Sequence, residues 1–269
     1  MPPEKIEILA VDDAGNPVAL TSPVIRMEKE DDPALTIDLF AAIHFADPDY
    51  YDELNRRFVQ YDAVLVEMIA PKGTKLAQIA APSARKTAIF SRIGFLETLQ
   101  RSMGNALGLA NQLDAIDYAA PNMVLADMDA ETLFTRISEN GEVGQFLRET
   151  FLGEDSGETG TPSAAEENSP EPDSHWIDFL LARDKQKFVR RVFAVELAHS
   201  LNEGKTPFEK SLIRDRNTIV LGELARQIEM GKKKIAVFYG SAHIPDIQTR
   251  LEDAGFRVTG TDQIVAWRL

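Results

Sequence analysis

Hydrophobic positions crowd into short dense runs near both ends of the chain and recur at helical spacing through its middle. "KIEILAVDD" and "PVALTSPVIRMEK" flank the turn-forming cluster "DDAGNP", which predicts a β-hairpin over residues 5–28. "LTIDLFAAIHFAD" is a near-continuous apolar run ending at His44, the pattern of a strand covered on both faces. In "DPDYYDELNRRFVQY", Asp47 or Asp49 caps a helix that has Pro48 in its first turn and Leu54 and Phe58 at helical spacing. "DAVLVEMIA" then predicts a short strand closing on Glu67, so that strand, helix and strand make a βαβ unit.

Residues 83–152 read as mostly helical. "TAIFSRIGFLETLQRSMGNALGLANQLDAIDYAAP" is apolar enough for a helix pair buried on more than one side, and "DAETLFTRISENG" and "EVGQFLRETFLG" are shorter amphipathic helices closed by glycine. "HWIDFLLARDKQKFVRRVFAVELAHSL" predicts a long helix with Phe188, Val192 and Val195 on one face. "PFEKSLIRDRNTIVLGELARQIEMG" predicts another, opening at proline and stopping at Gly231. "IAVFYGSAHIPD" is a buried strand that breaks at Gly240 and delivers His243; a helix from Pro245, a stop at Gly255 and a terminal strand "QIVAWRL" follow. The expected fold class is α/β: a central, mostly parallel sheet built from both chain ends, a helical block between them, and an N-terminal β-hairpin. No internal repeat interrupts that plan.

Composition refines this outline at three points. At 269 residues and 44% apolar content the chain can bury one sizeable core. It has no cysteine, which removes disulfides, thiolate metal sites and a cysteine nucleophile. Of the formal charge of −14, half lies in "EDSGETGTPSAAEENSPEPDS", which carries seven acids, no base and nothing apolar larger than alanine. Such a segment cannot bury enough surface to offset its ordering entropy. The expected division is therefore a hairpin, residues 1–35, packed on a main domain, residues 36–269, with a disordered acidic insertion at 153–175. An acidic balance without a basic stripe argues against nucleic acid as a partner. The start lacks a basic region followed by an apolar one, and no stretch approaches the roughly 18 uninterrupted apolar residues of a transmembrane segment. The expectation is a soluble, cytoplasmic protein.

His44, Glu67 and His243 each stand at the C-terminal end of a predicted buried strand. In open α/β sheets ligands sit at that carboxyl edge, where strand ends and helix N-termini converge. If the three strands are parallel neighbours, two imidazoles and a carboxylate face one crevice. Two neutral imidazoles and one carboxylate can hold a divalent cation with a position left for water, whose pKa such an ion lowers. Their spacing matches no local zinc signature such as H-E-x-x-H.

At these residues the chain resembles the TraB/PrgY/GumN family, the group that includes the TIKI proteins. That family is marked by a G-x-x-H motif, a downstream strand ending in glutamate, a helix with an R-N pair, and a second G-x-x-H. Here the first part reads "AAIHFADPDYYDELNRRFVQYDAVLVE", the helix "LIRDRN" and the second motif "GSAH", in the family order over residues 36–269. The first motif opens with Ala41 where the family has glycine, and alanine narrows the space that glycine leaves. The resemblance implies a TraB-like domain and a metal-dependent hydrolase or peptidase using manganese, cobalt or zinc. His44 and His243 would be ligands, Glu67 a ligand or general base, and Arg216 would face the site and hold an anionic group or a developing oxyanion. A more distant similarity to erythromycin-esterase and ChaN-like proteins sets a metal-free histidine-base hydrolase beside it. The pheromone-shutdown members set a third reading beside both, non-catalytic binding of a peptide or small-molecule ligand.

Other residues take plainer readings. His199 falls on the apolar face of its helix, and His175 borders the acidic insertion. Asp47 and Asp62 read as a cap and a surface acid before they read as partners orienting an imidazole. Ser241 lacks the G-x-S-x-G elbow of a serine nucleophile. The apolar stretch 88–119 reads as core rather than as the contact surface of a homo-oligomer.

Overall fold

The computed structural model describes residues 9–76, 108–139 and 207–269, together with Asp184, Lys187, Arg190, Arg191 and Ala194. The acidic insertion, His175, His199 and most of the predicted helices between residues 83–107 and 140–206 lie outside the described residues. No helix among the described residues is long and apolar enough to cross a membrane.

The hairpin forms as its pattern predicts, from β1 (Leu9–Val11) and β2 (Pro17–Lys29). Asp12 closes the turn through its Oδ1, which accepts from the N–H groups of Ala14 and Asn16 at 3.0 and 2.8 Å. Next come β3 (Thr36–Ala42), a two-residue β4 (Phe45–Ala46), helix α1 (Pro48–Phe58) and β5 (Ala63–Val66). A second described stretch holds β6 (Ala110–Asn111), one-turn α2 (Gln112–Ala115), β7 (Met123–Leu125) and α3 (Ala130–Glu139). The last holds α4 (Pro207–Glu229), β8 (Lys234–Gly240), a 3-10 turn at Ser241–His243, α5 (Ile244–Asp253) and β9 (Phe256–Arg268).

Strands β3, β8, β5 and β7 lie side by side in that order and all run parallel. The hairpin continues the sheet beyond them: β2 pairs antiparallel with β3, and β9 pairs antiparallel with β2 from Ala19 to Lys29. This is the mostly parallel α/β sheet, drawn from both chain ends, that the apolar runs predict.

The parallel strands are buried on both faces because each alternates between two apolar cores. Phe40, Val64, Val66 and Phe238 face one side, where α1 brings Tyr50, Tyr51, Leu54 and Phe58. Ile37, Leu39, Leu65, Val237 and Tyr239 face the other, under Val220 and Leu224 of α4 and Ile247 and Leu251 of α5. On the α1 side the Phe40 and Phe58 rings meet edge to face at 5.2 Å, a geometry that adds to simple burial.

Two sequence expectations change here. The run through His44 is not one strand: β3 stops at Ala42, and Phe45–Ala46 turn away to pair with Ala110–Asn111. Residues 108–120, read as helix from their apolar content, instead hold Gly108 at φ 66, the short β6 and a single helical turn. The β4–β6 pair takes up backbone groups that a continuous helix would have satisfied internally.

Asp47 does occupy the N-cap position of α1, with Pro48 in the first turn, but its carboxylate makes no cap bond. It accepts instead from the Arg268 N–H at 2.8 Å and from Arg190 at 2.9 Å, tying the helix start to the end of β9. Asp62 lies at the amino ends of β5 and β8, where Oδ2 accepts the N–H groups of Lys233 and Lys234, both at 2.9 Å. That is the sheet edge opposite Glu67, so Asp62 orients no imidazole.

Candidate functional site

All four parallel strands deliver a polar side chain just past their carboxyl ends. β3 leads to His44, β5 to Glu67, β7 to Asp127 and β8 to His243, while α4 presents Arg216 and Asn217 across the same edge. The register explains the convergence. Ala42 stands beside Gly240, and Val66 beside both Phe238 and Leu125, so the strands finish at nearly the same height.

Arg216 is the hub. Its Nε and Nη2 make a two-pronged contact with Asp127 at 2.9 and 2.7 Å, and Nη2 also donates to Glu67 Oε1 at 2.6 Å. The side chain of Asp127 is wholly buried, and those of Arg216 and Glu67 are nearly so. Planar guanidinium matches planar carboxylate, which makes such charge-assisted pairs shorter and stronger than neutral ones. Nη1 is the guanidinium nitrogen with no carboxylate partner among the described residues; it lies 3.4 Å from His243 Nε2.

Glu67 spends its second oxygen on the main chain. The Gly240 N–H donates to Oε2 at 2.5 Å. A Cβ on residue 240 would sit 3.1 Å from that oxygen, so the glycine of "GSAH" is there to let a carboxylate approach the backbone. Burial pushes the Glu67 carboxyl up, but Arg216 opposes it most strongly, and His243, His44 and the Gly240 N–H act in the same direction as Arg216. The balance holds it at about 2, so Glu67 is ionised throughout the physiological range. Arg216 is raised: burial disfavours its charge, and Asp127 and Glu67 outweigh that cost. Tyr239 is raised as well, first by burial and then by the negative charges of Asp127 and Glu67.

His243 is buried and stacks edge-on against Tyr239, with ring centroids 5.2 Å apart. Asn217 fixes its hydrogens. The amide nitrogen of Asn217 donates to Asp246 Oδ2 at 2.8 Å and to the His243 carbonyl at 3.3 Å, so its oxygen meets His243 Nδ1 at 2.6 Å. An amide oxygen only accepts, so Nδ1 carries a hydrogen and the neutral ring has its lone pair on Nε2. That nitrogen lies 3.6 Å from Glu67 Oε1.

Of the expected residues, Glu67, His243 and Arg216 are thus in mutual contact. His44 stands at the rim: it is exposed, and its Nδ1 meets the Gln112 amide oxygen at 3.1 Å. Among the described residues no three His, Asp or Glu side chains are grouped closely enough to hold a metal ion. Both Glu67 oxygens are engaged, one by a cation, and an ion bound there would meet the guanidinium charge directly. As arranged, His44, Glu67 and His243 do not fit a shared divalent ion.

Asp127, Asn217, Asp246 and Gln112 carry site contacts without having been singled out from the sequence. Asn217 stood in the quoted "RDRN", where its side-chain role had no signal beyond the pair itself. Asp127 follows β7, whose three half-buried residues are too short a run for the hydrophobic pattern to mark. The chain matches no protein-family model, no curated protein and no solved structure.

Proposed function

We propose that the protein is a hydrolase of peptide or ester bonds, of the TraB-like kind, working by histidine-base catalysis at the carboxyl edge of the parallel strands. The observation that carries this reading is the Asp246–Asn217–His243 chain, which leaves Nε2 of a buried imidazole as the lone-pair nitrogen 3.6 Å from an ionised carboxylate. A general base needs that lone pair, and its conjugate acid gains from a neighbouring negative charge.

In this reading His243 Nε2 takes a proton from water as the water oxygen bonds to the substrate carbonyl carbon. The Glu67 carboxylate stabilises the resulting imidazolium. Before the reaction Arg216 Nη1 donates to the His243 Nε2 lone pair, 3.4 Å away. Once Nε2 takes the proton it no longer accepts, and Nη1 is released to hold the oxygen that becomes negative in the tetrahedral intermediate. Collapse of that intermediate breaks the bond to the leaving amine or alkoxide, which takes the proton back from Nε2. Asp127 keeps the guanidinium in register and touches no substrate.

The test is turnover of a broad peptide and ester library by the full chain in the presence of a chelator. Hydrolysis that persists with chelator and disappears in His243→Ala is the expected result. Hydrolysis lost to chelator and restored by manganese or cobalt would overturn the metal-free route. Binding of library members without turnover would replace catalysis with sequestration.

A further inference from the structure

His44 poses a puzzle of its own. It is an exposed side chain just past a strand end, and such a residue ordinarily needs no fixed orientation. Yet one buried residue grips it twice. The Gln112 main-chain N–H donates to the His44 carbonyl at 2.9 Å, and the Gln112 side-chain oxygen meets His44 Nδ1 at 3.1 Å. In the structure the amide nitrogen of Gln112 lies 3.0 Å from the Tyr118 hydroxyl and its oxygen faces the histidine. Gln112 and Tyr118 are 4% and 1% exposed.

Placing Gln112 there takes dedicated backbone. The short β4–β6 ladder joins Phe45 to Asn111 and Ala46 to Ala110, one residue away from each partner of the clamp. Asn111 caps α2 by accepting the Leu113 N–H at 2.8 Å, which fixes the helical turn that starts at Gln112.

The arrangement repeats at the other imidazole. Asn217 also bonds one histidine at both its carbonyl and its Nδ1, and is itself held from behind by Asp246. The two clamps share no sequence and no element: one comes from a β-turn-helix segment, the other from the middle of a long helix. Two unrelated solutions that leave a carboxamide oxygen on Nδ1 point to a common requirement. A clamped Nδ1–H leaves Nε2 as the lone-pair nitrogen, whereas a solvated neutral ring exchanges between both tautomers.

We infer that Gln112 is a positioning residue for His44: it locks the exposed imidazole in the Nδ1–H form, so that the crevice has two lone-pair nitrogens, on His44 and His243, rather than one. The inference builds on the reading of the crevice as a chemical site, and extends it by giving His44 a defined hydrogen-bonding role toward a bound ligand. An Nε2 lone pair at the rim accepts hydrogen bonds. It suits a ligand group that donates, such as the N–H of a peptide backbone, better than an ester, which has no donor at that position.

Ring-nitrogen NMR on the full chain with 15N-labelled histidine tests this without any substrate. At about pH 8.5, where a solvated imidazole is neutral, the signals of His44 and His243, identified by their loss in His44→Ala and His243→Ala, should both show the Nδ1–H pattern. In Gln112→Leu the His44 signal should move to the averaged pattern of a solvated ring while that of His243 stays in place. Gln112→Glu, which keeps an acceptor oxygen at the same reach, should preserve the locked form even if the leucine variant fails to fold. An averaged His44 pattern in the unaltered protein, or one indifferent to Gln112→Leu, overturns the assignment. Because the readout is the tautomer, a library that shows no hydrolysis sinks the proposed reaction and leaves this result standing.

Discussion

Replacing Arg216 by methionine should reverse how the protein's stability responds to pH. The guanidinium is the counter-ion of two carboxylates, and the side chain of Asp127 has no solvent exposure at all. Removing one partner of a buried ion pair leaves uncompensated charge and costs about 3–5 kcal/mol at neutral pH. In the unaltered protein Glu67 has its folded pKa held down at about 2, against an ordinary value of 4.5. A depressed carboxyl contributes stability above its unfolded pKa and loses it as pH falls through the folded one. The difference corresponds to about 3 kcal/mol, present from neutral pH down to about 4.5 and gone near pH 2. In Arg216→Met the largest influence lowering the Glu67 carboxyl is gone and burial prevails, so its folded pKa rises above the unfolded value. Such a group gains stability as pH falls from 7 toward 4.5. Urea unfolding followed by tryptophan fluorescence at pH 7, 6 and 5 reads the contrast. The deficit of the variant should be largest at pH 7 and shrink toward pH 5, while the unaltered protein changes little from this source over that interval. A deficit constant across the three pH values, or below about 1 kcal/mol throughout, would refute the assignment of Arg216 as a buried counter-ion, because exposed ion pairs are worth that little.

Three further outcomes can be checked on the same protein. Gly240→Ala should cost about 1–3 kcal/mol in thermal or urea unfolding, because the new Cβ, 3.1 Å from Glu67 Oε2, forces the carboxylate off the main-chain N–H. Asn217→Leu should lower hydrolysis of any library hit about 10- to 100-fold, through kcat rather than KM, since it releases the imidazole without touching a ligand. Asp62→Ala should cost about 1 kcal/mol and leave turnover unchanged, because its bonds to Lys233 and Lys234 lie at the opposite sheet edge.

What the sequence made legible follows where burial is two-sided or where a cap is chemically marked. β3, β5 and β8 were readable because both faces are covered and their residues are almost all apolar. α4 and α5 were readable because Gly231 and Gly255, with φ of 85 and 80, supply the left-handed stops. β7 was not: it has three residues, all half-buried, with neither alternation nor a long apolar run. Missing that strand hid Asp127, which stands where the other parallel strands place His44, Glu67 and His243. The polar first half of β9 escaped for a related reason. From Arg257 to Gln263 its residues are exposed, and only its pairing with β2 makes it a strand. Arg216 was expected to meet an anion, and two carboxylates of the chain itself occupy most of its donors.

The same alternation that fills the two cores also sets the distances in the crevice. Because side chains change face at every residue, moving β8 by one position against β3 and β5 would turn Ile235, Val237 and Tyr239 into the opposite core and expel Phe238 from its contact with Phe58. At an upper estimate of about 25 cal/mol per Å² of apolar surface, a slip that misplaces four large side chains costs far more than any single hydrogen bond in the site. Register is thus held by Phe238, Tyr239 and their neighbours, and the Gly240 N–H inherits its position under Glu67 from them. The 3-10 turn then carries His243 a fixed three residues beyond Gly240, under Asn217 of α4, whose own place is set by Val220 and Leu224 against the sheet. Polar contacts between Glu67, Arg216 and His243 therefore refine a geometry that apolar packing has already imposed, which is why single polar substitutions there should disturb chemistry and charge while leaving the sheet intact.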